Sequence, residues 1–242
     1  MKLIVLTILS LALWAGASAT PKQDQIPTSG DGLGATEFDK ILKEHWQNKD
    51  YRFDHASNEI KSFSLNLKKY SDADLNPGTA FGARGSVIVS ADMADVTNYY
   101  SKRSSIYGLG QTIPTFKAFH VLEYGEGKNE ISARVALIVK VPILPDVPVT
   151  DRIKFSRENG YVELQWQQDD ASSPLLWNRG CVIIEPYGPH KVLATVYGVH
   201  VFKPEGALSW FTRPAASAFA LEHYSDYLRS VQNAAKSFSP KK

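Results

Sequence analysis

Hydrophobic and polar residues alternate with two different periods along the first part of the chain. Over residues 36–48 the apolar side chains recur every three or four positions, which is the spacing of one face of an α-helix. Over residues 59–67 the period changes to two, and Phe63 and Leu65 alternate with polar neighbours. The pattern therefore predicts a helix of about three turns followed by a half-buried β-strand.

The next segment predicts one more strand and two short helices. The strand covers residues 83–90, around an apolar Val-Ile-Val run. Asp92 is of the residue type that caps helix N-termini, so we expect a helix from there through Tyr100. A second short helix is predicted over residues 101–109.

After Ile113 the chain alternates between strands and turns for about ninety residues. The turns are rich in glycine, asparagine and proline, as expected between hairpin strands. The predicted strand pairs are 116–124 with 130–141, 153–157 with 161–167, and 180–185 with 191–202. Sequential pairs of this kind predict an antiparallel meander.

The last predicted element is a long amphipathic helix beyond Pro214. Its apolar residues hold mostly three- and four-residue spacing over about twenty positions, with charged residues elsewhere around the helix. These apolar residues are Phe219, Leu221, Tyr224, Leu228, Val231 and Ala235. No internal repeat of fixed period is visible, which argues against solenoids and propellers.

The first nineteen residues have the pattern of a secretory signal peptide. A short basic start precedes an apolar run over residues 3–14, and the small residues 17–19 form a cleavage signature before Thr20. The apolar run is shorter than the roughly 20 residues that span a bilayer. We therefore expect a secreted or periplasmic protein; an N-terminal anchor that is not cleaved is the alternative.

The rest of the chain divides by composition into three parts. Residues 20–35 contain proline and glycine and few apolar side chains, so they are predicted to form a flexible leader. The folded domain is predicted over residues 36–238, and residues 239–242 form a short tail. The hydrophobic content of 43% is sufficient for a sizeable core.

Charge and cysteine content exclude several classes of function. The chain has 27 basic and 25 acidic residues spread evenly, so no nucleic-acid-binding surface is expected. Cys181 is the single cysteine and lies in an apolar run, which predicts a buried thiol and no intramolecular disulfide. The histidines form no His-x-x-x-His pair, and no nucleophile motif is present, so neither a metal site nor a catalytic residue is assigned.

A proline-rich segment before the fifth predicted strand carries a family-like motif. Residues 148–152, Pro-Val-Thr-Asp-Arg, resemble the Pro-x-Pro-Val-x-Asp-Arg motif of START domains, with Val147 where the family has a bulkier residue. Trp46, Trp177 and the Gly-Ala-Leu-Ser-Trp-Phe turn at 206–211 follow in the order of the family. The chain thus resembles the START and polyketide-cyclase superfamily over about residues 36–238.

The resemblance implies an α+β helix-grip fold. In this fold a curved antiparallel sheet is closed by a long C-terminal helix around an apolar cavity. It also implies that the protein binds or carries a lipid or another hydrophobic small molecule, without a cofactor, as a monomer that contacts membranes transiently. A cyclase or aromatase enzyme on the same fold is the alternative, and a structural module whose cavity is filled by its own side chains is a third. The fold by itself does not separate them.

The prolines at positions 142, 145 and 148 each lack a backbone donor, so this segment is predicted to be a sheet edge, a crossover or a bulge. Asp151 and Arg152 follow directly. As sequence neighbours in a strand they point to opposite faces, so one is expected to face the cavity. Arg152 is a candidate contact for a carboxylate or phosphate head group. The alternative is that both residues make ion pairs or hydrogen bonds that hold the turn in place.

Four further residues are candidates for ligand contact. His200 shares one strand face with small and apolar residues, and a polar group there needs a partner or a ligand. Trp177, Tyr197 and Tyr224 belong to a large supply of aromatic side chains that suit the wall of an apolar pocket. A histidine buried in the core and fully hydrogen-bonded is the alternative for His200.

Overall fold

The computed structural model describes residues 56–64, 80–141, 146–158, 160–169, 175–202 and 213–238. The predicted signal peptide, the leader and the helix over residues 36–48 lie outside these residues. So do the turn at 206–211 and the tail. No helix in the described part of the chain is long and apolar enough to cross a membrane.

The described strands form one antiparallel sheet of eight strands in the order β1-β2-β8-β7-β6-β5-β4-β3. The strands are β1 Lys61–Ser64, β2 Ala80–Ser90, β3 Phe116–Glu126, β4 Glu130–Val139, β5 Val147–Glu158, β6 Tyr161–Gln168, β7 Leu175–Gly188 and β8 Lys191–Phe202. Strands β3 to β8 pair in sequence order, so the predicted meander is confirmed.

Three helices complete the described fold: α1 Met93–Tyr100, α2 Arg103–Thr112 and α3 Arg213–Ala235. Helix α3 packs across β1, β2 and β8. Its buried residues include Tyr224, Leu228 and Val231, which belong to the predicted apolar stripe. The long terminal helix is therefore confirmed.

Asp92 occupies the N-cap position of α1, as predicted, but its side chain makes no capping hydrogen bond. The Asp92 carboxylate instead pairs with Nδ1 of His190 at 2.8 Å. Helix α2 ends at Thr112 and not at residue 109, because the Ile113 amide still donates to the carbonyl of Leu109.

Strand β5 corrects the predicted bounds of the strand that follows the proline-rich segment. The strand begins at Val147 and not at residue 153, and it lies between β4 and β6. Pro148 aligns with Ile138 of β4, whereas the pairing with β6 begins only at Asp151. The missing donor of Pro148 is thus tolerated where β5 has one strand partner in the described sheet. Prolines 142 and 145 lie outside the described residues.

The turn before β8 begins later than predicted, because β7 ends at Gly188 and not at residue 185. Strand β7 continues through Pro186 to Gly188, with a register shift between these two residues. An irregularity of this kind accommodates proline within a strand. The chain reverses at Pro189 and His190, and His190 has a φ of 54°.

Candidate functional site

A cavity lies between the sheet and helix α3. Strands β3, β4, β5, β7 and β8 and the middle of the helix all contribute side chains to it. In chain order the lining consists of Phe116, Leu137, Val139, Val141, Val147, Val149, Asp151, Leu175, Asn178, His200, Phe219, His223 and Tyr227. The free space has room for about one or two water molecules.

The wall of the cavity is mostly apolar because period-two alternation sends every second strand residue to the same face. On β5 this places Val147, Val149 and Asp151 side by side. Leu137 and Val139 of β4 extend the apolar surface next to them. The cavity therefore combines an apolar wall with a small group of polar side chains, as in ligand pockets of other proteins.

Asp151 is the acidic member of this polar group. It is 3% exposed, and the Asn178 amide donates a hydrogen bond to its Oδ2 at 3.4 Å. The Asn178 side chain in turn accepts a hydrogen bond from Nε1 of Trp166 at 3.3 Å. Asp151 Oδ1 has no hydrogen-bond partner within the described part of the chain.

Burial raises the pKa of Asp151 to about 7, the hydrogen bond from Asn178 opposes this rise, and the charge of Asp169 adds to it. At neutral pH the carboxyl group is therefore present in both protonation states. A carboxyl group in this condition can donate or accept a hydrogen bond.

His200 lies on β8 directly opposite Asn178 of β7. Its ring stacks on that of Tyr224, with centroids 5.0 Å apart and 9° between the planes. Neither ring nitrogen has a hydrogen-bond partner among the described residues. Burial, assisted by the nearby His223, lowers the pKa of His200 well below its usual value. The ring is therefore neutral at pH 7, with one nitrogen as donor and one as acceptor.

His223 faces the cavity from α3. Its Nδ1 shares a hydrogen bond of 2.8 Å with the hydroxyl of Thr115. Burial lowers the pKa of His223 to about 4, so this ring is neutral as well. The two histidines thus contribute hydrogen-bonding capacity to the cavity but no positive charge near neutral pH.

Two glycines bring the helix close to the sheet beside the cavity. Gly180 and Gly198 are direct partners on β7 and β8. A Cβ atom at Gly180 would overlap the ring of Trp166, and one at Gly198 would overlap the ring of Tyr224. The Trp166 ring of β6 and the Tyr224 ring of α3 therefore lie directly over the sheet backbone at these two positions.

The candidate residues predicted from the sequence are distributed over both faces of the sheet. His200 lies in the cavity, and Tyr224 stacks directly against it. The Tyr224 hydroxyl is buried and has no hydrogen-bond partner in the described chain. The structure therefore brings these two candidates together at one end of the cavity.

Arg152 lies outside the cavity. Its exposed side chain bonds through Nε to Oδ1 of Asp169 at 2.9 Å, and Asp169 also accepts a hydrogen bond from Nε of Arg134 at 2.7 Å. An ion pair of Arg152 was part of the alternative interpretation, in which both Asp151 and Arg152 hold the turn in place. Asp151, and not Arg152, is the member of the pair that faces the cavity.

Tyr197 is buried, but it belongs to the opposite face of β8 from His200 and does not line the cavity. Trp177 lies on β7 next to Asn178, and its side chain is outside the described ones. The structure thus gives no placement of Trp177 relative to the cavity.

Sequence reasoning missed Asn178 and His223. A signal for His223 was present, since it stands four residues after Phe219 and four before Tyr227, the helical spacing of one face. Asn178 offered no such signal, because its position depends on the register between β7 and β8. No group of three potential metal ligands occurs among the described residues.

No family model matches the sequence, and no curated protein matches it. Solved structures do match the fold. A STAR-related lipid transfer protein from Xanthomonas axonopodis aligns with a TM-score of 0.54 at 15% identity, over 74% of this chain and 95% of that chain. Human StAR-related lipid transfer protein 5 aligns with a TM-score of 0.52 at 12% identity, over 82% of this chain and 97% of that chain.

An aromatase/cyclase from Streptomyces sp. R1128 also aligns, with a TM-score of 0.51 at 16% identity, over 65% of this chain and 94% of that chain. These similarities confirm that the chain has the helix-grip fold shared by START domains and polyketide cyclases. The fold class predicted from the order of elements and the short motif is thus confirmed.

Proposed function

We propose that this protein binds a lipid or another hydrophobic small molecule in the cavity between the sheet and α3. The observation that carries the proposal is an apolar cavity wall beside buried polar atoms that have no hydrogen-bond partner among the described residues, namely Asp151 Oδ1 and the ring nitrogens of His200. A buried polar atom without a partner costs about 1–3 kcal/mol. A bound molecule with an apolar body and a polar end would satisfy these atoms.

The cavity must enlarge to admit such a molecule, since its free space has room for about one or two water molecules. Phe116, Phe219 and Tyr227 line it, and their rings are the large side chains whose rotation would open space. Transfer of apolar surface from water into the cavity contributes about 25 cal/mol per Å². A ligand that buries about 300 Å² would gain about 7 kcal/mol toward this rearrangement.

Extraction of the purified protein tests the proposal. We expect organic extracts of the chain, analysed by mass spectrometry, to contain one hydrophobic compound in a fixed ratio to protein. A Val149→Phe variant is the matched control, because Val149 lines the cavity and a larger ring would occupy it. The proposal fails if the unmodified protein and the Val149→Phe variant yield the same extract. It also fails if the extract of the unmodified protein contains no ligand and the protein binds no apolar fluorescent probe.

We also propose that the chain is exported, on the basis of the signal-peptide pattern in residues 1–19. Expression of the full chain in a bacterium, followed by fractionation and intact-mass measurement, tests this. We expect a periplasmic product that begins at Thr20 and is lost in an Ile8→Arg variant, which interrupts the apolar run. An unprocessed cytoplasmic product would contradict export, and an unprocessed membrane-bound product would favour the anchor.

A second candidate function is acid-base catalysis of the cyclase or aromatase type. The specific observation is a carboxyl group with a pKa of about 7, Asp151, in the same cavity as the neutral His200. Incubation with poly-keto compounds should then give a product that is lost in His200→Ala and retained in Arg152→Ala, because Arg152 lies on the other face. Equal activity in both variants would rule out this role of the cavity.

A further inference from the structure

The charges around the cavity are asymmetric. Asp151 supplies a carboxyl group, whereas none of the described residues that line the cavity is lysine or arginine. The neighbouring Arg152 is held on the other face by Asp169. The two histidines of the lining are buried and neutral near pH 7. The described lining thus offers no positively charged side chain to a bound anion.

Two of the three open hydrogen-bonding positions on Asp151 and His200 are acceptors when Asp151 is ionised, so a donor can fill them. Asp151 Oδ1 is a buried acceptor when the carboxyl group is ionised, and one nitrogen of the neutral His200 ring is another. The second His200 nitrogen carries a hydrogen and suits an oxygen or nitrogen lone pair. A hydroxyl or an amine can therefore bond to both residues, because each can donate to Asp151.

We propose that the cavity selects ligands whose polar end donates hydrogen bonds and carries no negative charge, a hydroxyl or an amine, and that Asp151 and His200 bind this end. The inference rests on the proposed function and specifies its ligand class. It differs from the expectation that Arg152 would hold a carboxylate or phosphate.

Electrostatics and desolvation favour the same class. A carboxylate or phosphate placed beside ionised Asp151 would meet a like charge in a medium of low polarity, with no cation among the described lining residues to offset it. An ammonium group would meet an opposite charge at the ionised carboxylate. A hydroxyl would avoid the desolvation of a charge.

Three ligands with the same chain and different head groups test the proposal: dodecanol, dodecylamine and dodecanoate. Dodecylamine and dodecanoate are added below their micelle concentrations, and dodecanol below its solubility limit, to displace neutral diphenylhexatriene from the protein, and fluorescence is measured. We expect the alcohol and the amine to compete at least about tenfold more strongly than the carboxylate. Equal or stronger competition by dodecanoate would overturn the proposal.

Two variants test whether the head-group preference arises from Asp151 in the cavity. Asp151→Asn keeps the size of the side chain and removes its charge, so the ratio of dodecylamine to dodecanoate affinity should fall by about tenfold. Arg152→Gln is the matched control on the outer face and should leave the ratio unchanged. A preference that survives Asp151→Asn would contradict the assignment. If Asp151→Asn does not fold, the competition of the three ligands for the unmodified protein is still sufficient to test the proposal.

The pH dependence separates the two head groups. The titratable groups that face Asp151 are His200 on β8 and His223, Tyr224 and Tyr227 on α3, with Asp169 contributing from beyond β6. Dodecylamine should bind more tightly as Asp151 ionises between about pH 6 and about pH 8, whereas dodecanol should not. Loss of amine binding over this range would contradict ion pairing with Asp151 and leave the hydroxyl as the supported ligand.

The outcomes also separate this inference from the proposed function. If diphenylhexatriene does not bind to the unmodified protein, and no lipid is extracted from it, the binding function itself fails. If the probe binds and all three ligands displace it equally, the binding function stands and the head-group preference is wrong.

Discussion

At the scale of single residues, two sequence neighbours on β5 have opposite surroundings. Asp151 is buried at the cavity, and Arg152 is exposed and paired with Asp169. The alternation of a strand predicts that the two side chains diverge, but it does not say which faces inward. Here the ion pairs with Asp169 on the outer face hold the arginine there, and the acid is left to the interior.

The buried carboxyl group predicts a specific dependence of stability on pH. Burial raises the pKa of Asp151 from 3.8 to about 7, so between these values the folded protein holds a proton that the unfolded chain releases. The free energy of unfolding should therefore fall from about pH 4 to about pH 7, by on the order of 4 kcal/mol from this group. Urea unfolding at several pH values measures the slope.

The matched comparison uses two Asp→Asn variants. Asp151→Asn should flatten the fall in stability, because the amide does not ionise, whereas Asp95→Asn in the exposed first turn of α1 should leave the fall in place. A pH slope that is the same in Asp151→Asn and in the unmodified protein would show that the carboxyl group is not desolvated in the folded state.

At the scale of elements, the contact between α3 and the sheet depends on residues without side chains. Gly198 lies under the ring of Tyr224, and its partner Gly180 lies under Trp166. Trp166 also stacks on Tyr227 of the helix, with centroids 4.3 Å apart and 8° between the planes. The same contacts hold Tyr224 against His200 and therefore shape one end of the cavity.

Replacement of Gly198 by alanine should separate the helix from the sheet. The added methyl group would overlap the Tyr224 ring, so we expect Gly198→Ala to lower the free energy of unfolding by about 1–3 kcal/mol in urea. Gly188→Ala is the control, since no atom lies within 4 Å of a Cβ there, and should change stability by less than about 0.5 kcal/mol.

A double-variant cycle identifies the cause. Combining Gly198→Ala with Tyr224→Leu should be less destabilising than the sum of the two single changes, because the smaller side chain relieves the overlap. Simple additivity would mean that the alanine acts on the strand itself and not through the ring of α3.

At the scale of the whole molecule, an open sheet and one helix enclose a cavity that they do not fill. Its wall is mostly apolar and contains buried polar atoms that have no hydrogen-bond partner among the described residues. Because a ligand that binds only the folded state stabilises it, dodecanol at about 100 times its dissociation constant should add about 2.7 kcal/mol to the free energy of unfolding.

Thermal unfolding with and without dodecanol measures this effect. The Val149→Phe variant should show a much smaller shift, because the added ring occupies the cavity. An equal shift in the two proteins would place dodecanol binding elsewhere on the molecule and contradict the proposed site.

The amino-acid sequence by itself determined the elements, their order and the fold class. Periods of 2 and 3.6 residues depend only on which side chains avoid water, and they identified the meander and the terminal helix. The same periodicity put His200 on an apolar face. Such local patterns involve residues close together in the sequence, so they can be recognised without knowledge of the tertiary contacts.

Tertiary structure alone decided the composition of the site. The alignment of Asn178 with His200 follows from strand register, and Arg152 is held on the outer face by its ion pair with Asp169. The proline-containing start of β5 could join the sheet because β6 pairs only from Asp151 onward, which leaves Pro148 with one strand partner in the described sheet. These outcomes depend on residues far apart in the chain, so the physical reason lies in pairing and packing and not in local pattern.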